Sequence, residues 1–160
     1  MKRKEFLSLA GTAAAGTILA PGFPARDAWA GGGGSARVSV KLFELKLRQA
    51  WGLSRGTWTA RRNCFVRVER DGIAGYGEAA PIARYNETAE SAAAFIERAS
   101  PVLGRDLGEY AVRFGEIDAA GPGEHAAKAA LDMAVLDWVG KRLKVPLWEL
   151  LGLGREKAVT

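Results

Sequence analysis

The dipeptide Asp71-Gly72 most constrains the fold, because it stands between two stretches with strand-like patterns. Asp-Gly favours the tight two-residue turn of a β-hairpin, in which both residues take positive φ. Residues 63–70 and 73–80 are therefore predicted to pair as antiparallel strands. An alternating stretch at 37–47 predicts an earlier strand. Its apolar residues change from even-numbered to odd-numbered positions between Leu42 and Phe43, and this change predicts a bulge. The three strands together predict an antiparallel meander.

Helical patterns follow the strands. Residues 87–103 are rich in alanine, and Thr88 is a suitable N-cap with Ser91 three positions later. A short helix is predicted within 108–120, and the strongest helical pattern spans 121–143. The apolar stripe of this last helix consists of Ala127, Leu131, Val135 and Trp138. Strands first and helices afterwards predict an α+β domain, a three-stranded antiparallel meander followed by a helical bundle.

The first thirty residues have the pattern of an export signal peptide. A basic start precedes an uncharged run from Phe6 to Phe23, and a small-x-small sequence stands at 28–30. The run is too short and too weakly apolar for a membrane span. Arg3-Lys4 resembles the twin-arginine motif, but a general secretory signal also begins with basic residues, so both routes stay open. Residues 1–30 are predicted to direct export to the periplasm or medium, and 31–36 to form a Gly-rich spacer.

Composition excludes several classes of function. The 160-residue chain is 48% hydrophobic, which is enough for one domain with a core. Its net charge of +5 is not gathered into an aromatic-interleaved cluster, so nucleic-acid binding is not predicted. The one cysteine, Cys64, allows neither an internal disulfide nor a thiolate metal cluster. It alternates with Val66 and Val68, and we interpret it as a small buried residue.

The residues alone reveal no catalytic machinery. Asp132 and Asp137 stand five positions apart on a helix, about 140° around its axis, so they cannot act as a facing pair of acids. They are predicted to have solvated or structural roles. Arg55 stands in a turn between Trp51 and Trp58, and exposed tryptophans of this kind indicate a surface for a ligand or partner. The segment 83–91 can carry function as a loop, although the residues alone favour a simple connector with a helix cap.

Several stretches, read in order, resemble the N-terminal capping domain of the enolase superfamily. They are "LSRGTWTARRN", "GYGEAAPIARYNET", "AAKAALDMAVLDWVGKRLKVPLWELLG" and the closing "KAVT". The resemblance extends from Val38 to Thr160. The motif "ALDMAVLDWVGK" is typical of the superfamily, whereas "SRGT" together with "RYNET" is similar to dipeptide epimerases of the mandelate racemase and muconate lactonizing enzyme group.

This resemblance implies an enzyme made of two parts. The cap pairs with a TIM barrel, in which two lysines exchange the α-proton of a dipeptide such as Ala-Glu and three carboxylates hold Mg2+. Two cap loops, at 51–60 and 82–88, are implied to close over the substrate and set specificity, with Arg55 binding a carboxylate. The implied substrate-binding residues are Trp51, Arg55, Trp58, Arg84 and Tyr85.

The resemblance also implies what this chain does not carry. Residues 37–154 would be the cap and 155–160 the start of the barrel, so no catalytic residue and no metal ligand is predicted here. The chain alone is predicted to be inactive, with the barrel and a dipeptide as its partners and a homo-oligomer left open. The apolar helix stripe and Trp148 are expected to face the barrel.

Two alternatives stay open beside the dipeptide epimerase. One is the cap of a muconate cycloisomerase or a succinylbenzoate-synthase-like lyase, since related folds carry different chemistries. The other is a non-catalytic binding domain.

Overall fold

The computed structural model describes residues 34–54 and 56–153, which form a three-stranded antiparallel sheet with helices packed against one face. The strands, in spatial order, are β1 (Arg37–Leu53), β2 (Gly56–Arg70) and β3 (Ile73–Ala79). The helices are α1 (Ala89–Ala99), α2 (Tyr110–Ala119), α3 (His125–Leu143) and α4 (Leu147–Leu150), with 3-10 helices at Ala83–Tyr85 and Ser100–Gly104. The predicted α+β meander is confirmed. The predicted signal at 1–30, most of the spacer and residues 155–160 lie outside the described residues.

The turn between β2 and β3 has the predicted geometry. Asp71 and Gly72 have φ of 53° and 73°, and they connect the paired residues Arg70 and Ile73. Both φ values are positive, as a hairpin turn of the predicted kind requires. The sharp reversal sets β3 directly beside β2.

The bulge predicted between Leu42 and Phe43 is wrong. The pairing of β1 with β2 continues unbroken through both residues, and its register shifts instead between Lys46 and Trp51. The apolar residues change from even-numbered to odd-numbered positions because β1 carries apolar side chains on both faces of the sheet. Phe43 lies on the face away from the helices, where its ring meets that of Phe65 edge-on with 5.3 Å between centroids.

Helix α3 packs directly on two glycines of β3. A Cβ atom at Gly77 would lie 1.9 Å from the carbonyl oxygen of Ala130, and one at Gly75 would lie 2.0 Å from that of Ala134. Only glycine permits so close an approach of helix and strand. The apolar stripe of α3 is consequently buried inside the domain, and the expectation that it faces a barrel is wrong. The buried stripe residues are Ala127, Leu131, Val135 and Trp138.

The side chains of Asp137 and Lys141 on α3 occupy the open edge of β3. The Oδ2 atom of Asp137 accepts hydrogen bonds from the backbone N–H of Tyr76 at 2.9 Å and from Lys141 Nζ at 2.7 Å. Lys141 Nζ also donates to the carbonyl oxygen of Ala74 at 2.9 Å. Two outward backbone groups of the edge strand, the N–H of Tyr76 and the carbonyl of Ala74, therefore have partners, whereas an exposed edge offers such groups to other chains. Asp137 has the structural role that the sequence predicts.

The core lies between the sheet and the helices. Cys64 is buried there, and this burial raises the pKa of its thiol, as expected for a small buried residue. A different apolar surface stays exposed around α4, including Leu147, Trp148 and Leu151. Of the helices in the described part of the chain, none combines the length and apolarity needed to cross a membrane.

Candidate functional site

The first candidate segment, 51–60, is mainly the tip of the β1–β2 hairpin and not the predicted loop. Trp51 pairs directly with Trp58, and only two positions separate the end of β1 at Leu53 from the start of β2 at Gly56. The strands extend this far because aromatic and β-branched residues pair well across antiparallel strands. Arg55 lies outside the described residues, so its role in binding a carboxylate stays a prediction.

The two tryptophans at the hairpin tip have different surroundings. Trp51 is 59% exposed, whereas Trp58 is half-buried. The guanidinium carbon of Arg61 lies 4.4 Å from the centroid of the Trp58 ring, which is a cation–π contact. Trp58 is therefore held in place by its own strand, while Trp51 presents its ring to solvent.

The second candidate segment, 82–88, contains the 3-10 helix at Ala83–Tyr85. This short helix ends at Asn86, whose φ of 56° is left-handed. Arg84 and Tyr85 are both exposed, and the Arg84 guanidinium carbon lies 5.4 Å from the centroid of the Tyr85 ring. The segment thus presents a cation beside an aromatic ring, an arrangement suited to an anionic ligand with an apolar part.

Glu87 fastens this segment to helix α3. Its side chain is buried, and its Oε1 and Oε2 atoms accept the backbone N–H groups of His125 at 2.7 Å and Ala126 at 3.3 Å. The next residue, Thr88, forms the predicted N-cap of α1, with reciprocal hydrogen bonds to Ser91 of 3.0 Å each. The segment is therefore bound to two helices at its C-terminal end.

Polar contacts also join the hairpin to the elements around the second segment. Arg62 Nε lies 2.7 Å from Glu90 Oε1 on α1, and Asn63 Nδ2 donates to Glu78 Oε1 on β3 at 2.6 Å. The pKa of the Glu90 carboxyl is lowered, chiefly by a hydrogen bond from its own backbone N–H and further by Arg62. These contacts hold the base of the hairpin against the rest of the cap.

The structure brings the predicted site residues together in two pairs. Trp51 lies opposite Trp58, and Arg84 lies beside Tyr85. Within residues 34–54 and 56–153, no hydrogen bond, ion pair or ring contact joins one pair to the other. The two segments are thus separate contact surfaces on one domain.

Two residues that support these surfaces were not found from the sequence, namely Arg61 and Glu87. The alternation of side chains along β2 gives Arg61 no distinguishing mark. Glu87 stands directly before the N-cap residue of α1, and its hydrogen-bond partners lie 38 and 39 positions away. Only the tertiary structure reveals that the buried carboxylate of Glu87 is hydrogen-bonded to the first turn of α3.

The residues present do not fit a magnesium site. In the described part of the chain, no group of three or more His, Cys, Asp or Glu side chains could hold a metal ion. Mg2+ is bound by several oxygen ligands, usually including carboxylates. No chemical step is therefore derived through a metal in this domain.

The family of the chain follows from this fold and from a sequence comparison. Residues 37–152 match the sequence model of the protein family described as mandelate racemase / muconate lactonizing enzyme, N-terminal domain. The chain belongs to this family, and the described residues form its cap fold, as the sequence resemblance predicted.

Among individual relatives, the L-Ala-D/L-Glu epimerase of Bacteroides thetaiotaomicron is 33% identical over 125 residues, covering 78% of this chain and 33% of the relative. A crystal structure of the dipeptide epimerase from Cytophaga hutchinsonii, complexed with Mg and the dipeptide D-Ala-L-Val, matches with a TM-score of 0.71 and 25% identity, over 77% of this chain and 34% of that one. The muconate lactonizing enzyme from Pseudomonas fluorescens, complexed with muconolactone, matches with a TM-score of 0.70 and 28% identity, over 76% and 34%. The chain spans about a third of the length of each.

Proposed function

We propose that this chain is the substrate-selecting cap of an exported dipeptide epimerase whose chemistry takes place in a separate barrel. The observation that carries the proposal is the 33% identity to an L-Ala-D/L-Glu epimerase across the cap. The likeness to a dipeptide epimerase with a bound dipeptide supports the same substrate class. A muconate lactonizing enzyme shares the fold, so that reaction is the alternative that the experiment must separate.

The arginines in the two candidate segments suit a dipeptide with an acidic residue. Arg55 and Arg84 supply guanidinium groups, which match a carboxylate in bidentate geometry. A charge-assisted hydrogen bond of this kind contributes about 1.5–3 kcal/mol. The rings of Trp51 and Tyr85, one in each segment, would exclude water from a carboxylate bound by the arginine of their own segment and would strengthen that pairing.

The lysines on α3 are engaged within the fold, which supports assigning the proton transfers to the barrel. Lys128 is buried, and its Nζ lies 3.2 Å from Asp118 Oδ1. Lys141 Nζ is bonded to Asp137 and to a strand carbonyl. A base that removes an α-proton must reach substrate with a lone pair available, and an ion-paired lysine does not offer one. The proposal assigns the magnesium to the barrel as well.

The test joins residues 31–152 of this chain to the barrel of the Bacteroides thetaiotaomicron epimerase. Deuterium incorporation at the α-carbon in heavy water with magnesium measures proton exchange, with L-Ala-L-Glu, an apolar dipeptide and muconate as substrates. We expect exchange with dipeptides and no lactone from muconate, and no exchange by the 160-residue chain alone. Lactone formation without exchange, or exchange by the chain alone, would contradict the proposal.

Substitution in the same chimera tests the assigned contacts. Arg55→Ala should lower kcat/KM for L-Ala-L-Glu by roughly ten- to a hundredfold, because about 1.4 kcal/mol corresponds to a factor of ten. The loss should be small for an apolar dipeptide, and the melting temperature should barely change. Arg48→Ala, at an exposed arginine of β1, is the control. Equal losses for both dipeptides would show that Arg55 does not select the acidic residue.

Export is tested on the complete chain. Replacing Arg3 and Lys4 by glutamine should leave the precursor in the cytoplasm, since the basic start of a signal peptide is required for targeting. Replacing Lys41 and Lys46 by glutamine is the control, because it removes the same charge from the cap and should leave export intact. Unchanged periplasmic yield of the first variant would disprove the signal assignment.

A further inference from the structure

We infer that Glu87 is a positioning residue that fixes the pose of the substrate-facing segment 82–88 by bonding it to the first turn of α3. The importance of this pose for catalysis rests on the proposed function. The geometry itself is independent of any activity.

A buried carboxylate requires partners, and Glu87 finds both on α3. Its side chain is 5% exposed, and each of its oxygens accepts one backbone N–H, from His125 at 2.7 Å and from Ala126 at 3.3 Å. The first N–H groups of a helix have no partner inside the helix, and they attract negative charge. The N-cap residue of α3, Glu124, offers no side-chain cap of its own. Glu87 therefore supplies from a distant segment what a local cap otherwise supplies.

The same bond leaves the segment little freedom. Glu87 lies between Asn86, whose left-handed backbone ends the 3-10 helix, and Thr88, the N-cap of α1. A second tie runs in parallel, because Ser91 Oγ donates to Glu124 Oε2 at 3.1 Å. The 3-10 helix with Arg84 and Tyr85 is thus attached to a backbone that is fixed immediately after it.

A ring contact reports the resulting pose. The Tyr85 ring meets the His125 ring at 74°, with 6.2 Å between centroids. His125 is the residue whose N–H bonds Glu87, so the contact depends on the same attachment. If Glu87 only stabilised α3, its loss would weaken the helix without changing how Tyr85 meets His125. If Glu87 positions the segment, the ring contact is lost while the fold persists.

The single histidine makes this distinction measurable in the 160-residue chain itself. Its imidazole protons give one set of NMR signals, which the Tyr85 ring current displaces. Tyr85→Leu defines the signal position without the ring. Glu87→Gln keeps the size of the side chain but removes its charge and turns an N–H donor toward α3. In the Glu87→Gln variant, we expect the His125 imidazole signals to move most of the way to the positions that they have in the Tyr85→Leu variant.

Two controls separate positioning from loss of fold. Glu90→Gln makes the same chemical change at an exposed glutamate three residues on, and it should leave the histidine signal in place. Amide hydrogen exchange in Glu87→Gln should rise about tenfold or more at 82–88 and at 125–126, and stay unchanged in β2 and β3. An unmoved histidine signal, or equal exchange increases in every element, would overturn the inference.

One measurement needs no variant. The unmodified chain should show a nuclear Overhauser contact between the Tyr85 and His125 rings and slow exchange of the His125 amide. Absence of both would overturn the inference even if Glu87→Gln fails to fold. None of these readouts involves a substrate, so failure of the dipeptide assay and failure of this inference remain distinguishable.

Discussion

Replacing Gly77 by alanine should destabilise the cap more than any surface change, because the added methyl group meets a backbone atom. Its carbon would lie 1.9 Å from the Ala130 carbonyl oxygen, whereas ordinary contact begins at 3.4 Å, so strand or helix must move by about 1.5 Å, the difference between the two. The obstacle is backbone, which cannot turn aside as a flexible side chain does. Helix α3 is also packed on Gly75, so it cannot tilt away freely.

The expected cost follows from this displacement. Overpacking a core costs typically about 1–3 kcal/mol and occasionally more, and moving α3 would also open gaps around Leu131 and Val135, which are buried against the sheet. We expect a loss of about 3 kcal/mol or more, a large part of a typical stability of roughly 5–15 kcal/mol. For a domain of this size, that corresponds to a fall in Tm of about 10 °C or more.

The assay is thermal and urea unfolding of the chain, followed by circular dichroism. Gly115→Ala is the matched control, since a Cβ there meets nothing within 4 Å and the residue lies in helix α2. That substitution should stabilise by about 0.5–1 kcal/mol, because alanine is the better helix former. A Gly77→Ala chain that melts within about 2 °C of the original would refute the close-approach argument. Equal destabilisation by both substitutions would refute it as well.

Three further predictions concern groups with defined partners. Cys64 should react with a thiol reagent at least about a hundredfold more slowly in the native chain than in urea, because burial shields the thiol and raises its pKa. Rapid labelling of the native chain would contradict the position of Cys64 in the core. The pKa of the Glu90 carboxyl is lowered in the folded chain. The ionised carboxylate therefore contributes to folding stability above its ordinary pKa of 4.5, and this contribution is lost in acid. The Tm of Glu90→Gln should accordingly lie below that of the original chain at neutral pH and converge with it as the pH falls through that region. Asp137→Ala should cost about 1–3 kcal/mol in urea unfolding, through loss of its bond to the backbone of β3. Glu44→Ala, an exposed change on β1, should cost less.

The parts of the fold that were predictable from sequence depend on local chemistry. Asp71-Gly72 determines its own turn geometry, and Thr88 with Ser91 caps the helix that begins beside them. The stripe of α3 was recognisable by spacing, since helical periodicity is a property of one segment. What covers the stripe was not predictable, because burial against the sheet depends on two glycines in another element. The expectation of a barrel on that face failed for this reason.

The site was less predictable than the fold, because its contacts join distant positions. The resemblance drew attention to Trp51, Trp58, Arg84 and Tyr85, and the structure pairs the first two and the last two. It gave no indication of Glu87, whose partners are far along the chain. The parity change at Phe43 was assigned to a bulge because a one-dimensional pattern does not distinguish a register shift from a strand with apolar residues on both faces.

The two candidate segments differ in how the fold constrains them, and this difference predicts how substitutions propagate. Among the described residues of the hairpin tip, the support is cross-strand pairing and the contact of Arg61 with Trp58, so a change at Trp51 should alter the local surface and little else. The second segment is bonded through Glu87 to α3, and α3 packs on the centre of the sheet. A change that shifts α3 therefore also shifts Arg84 and Tyr85. Variation at the hairpin tip should consequently cost little stability, whereas the pose of the second segment is coupled to the core. If the cap selects the substrate as proposed, we expect the tip to be the segment where substitutions change that selection most freely.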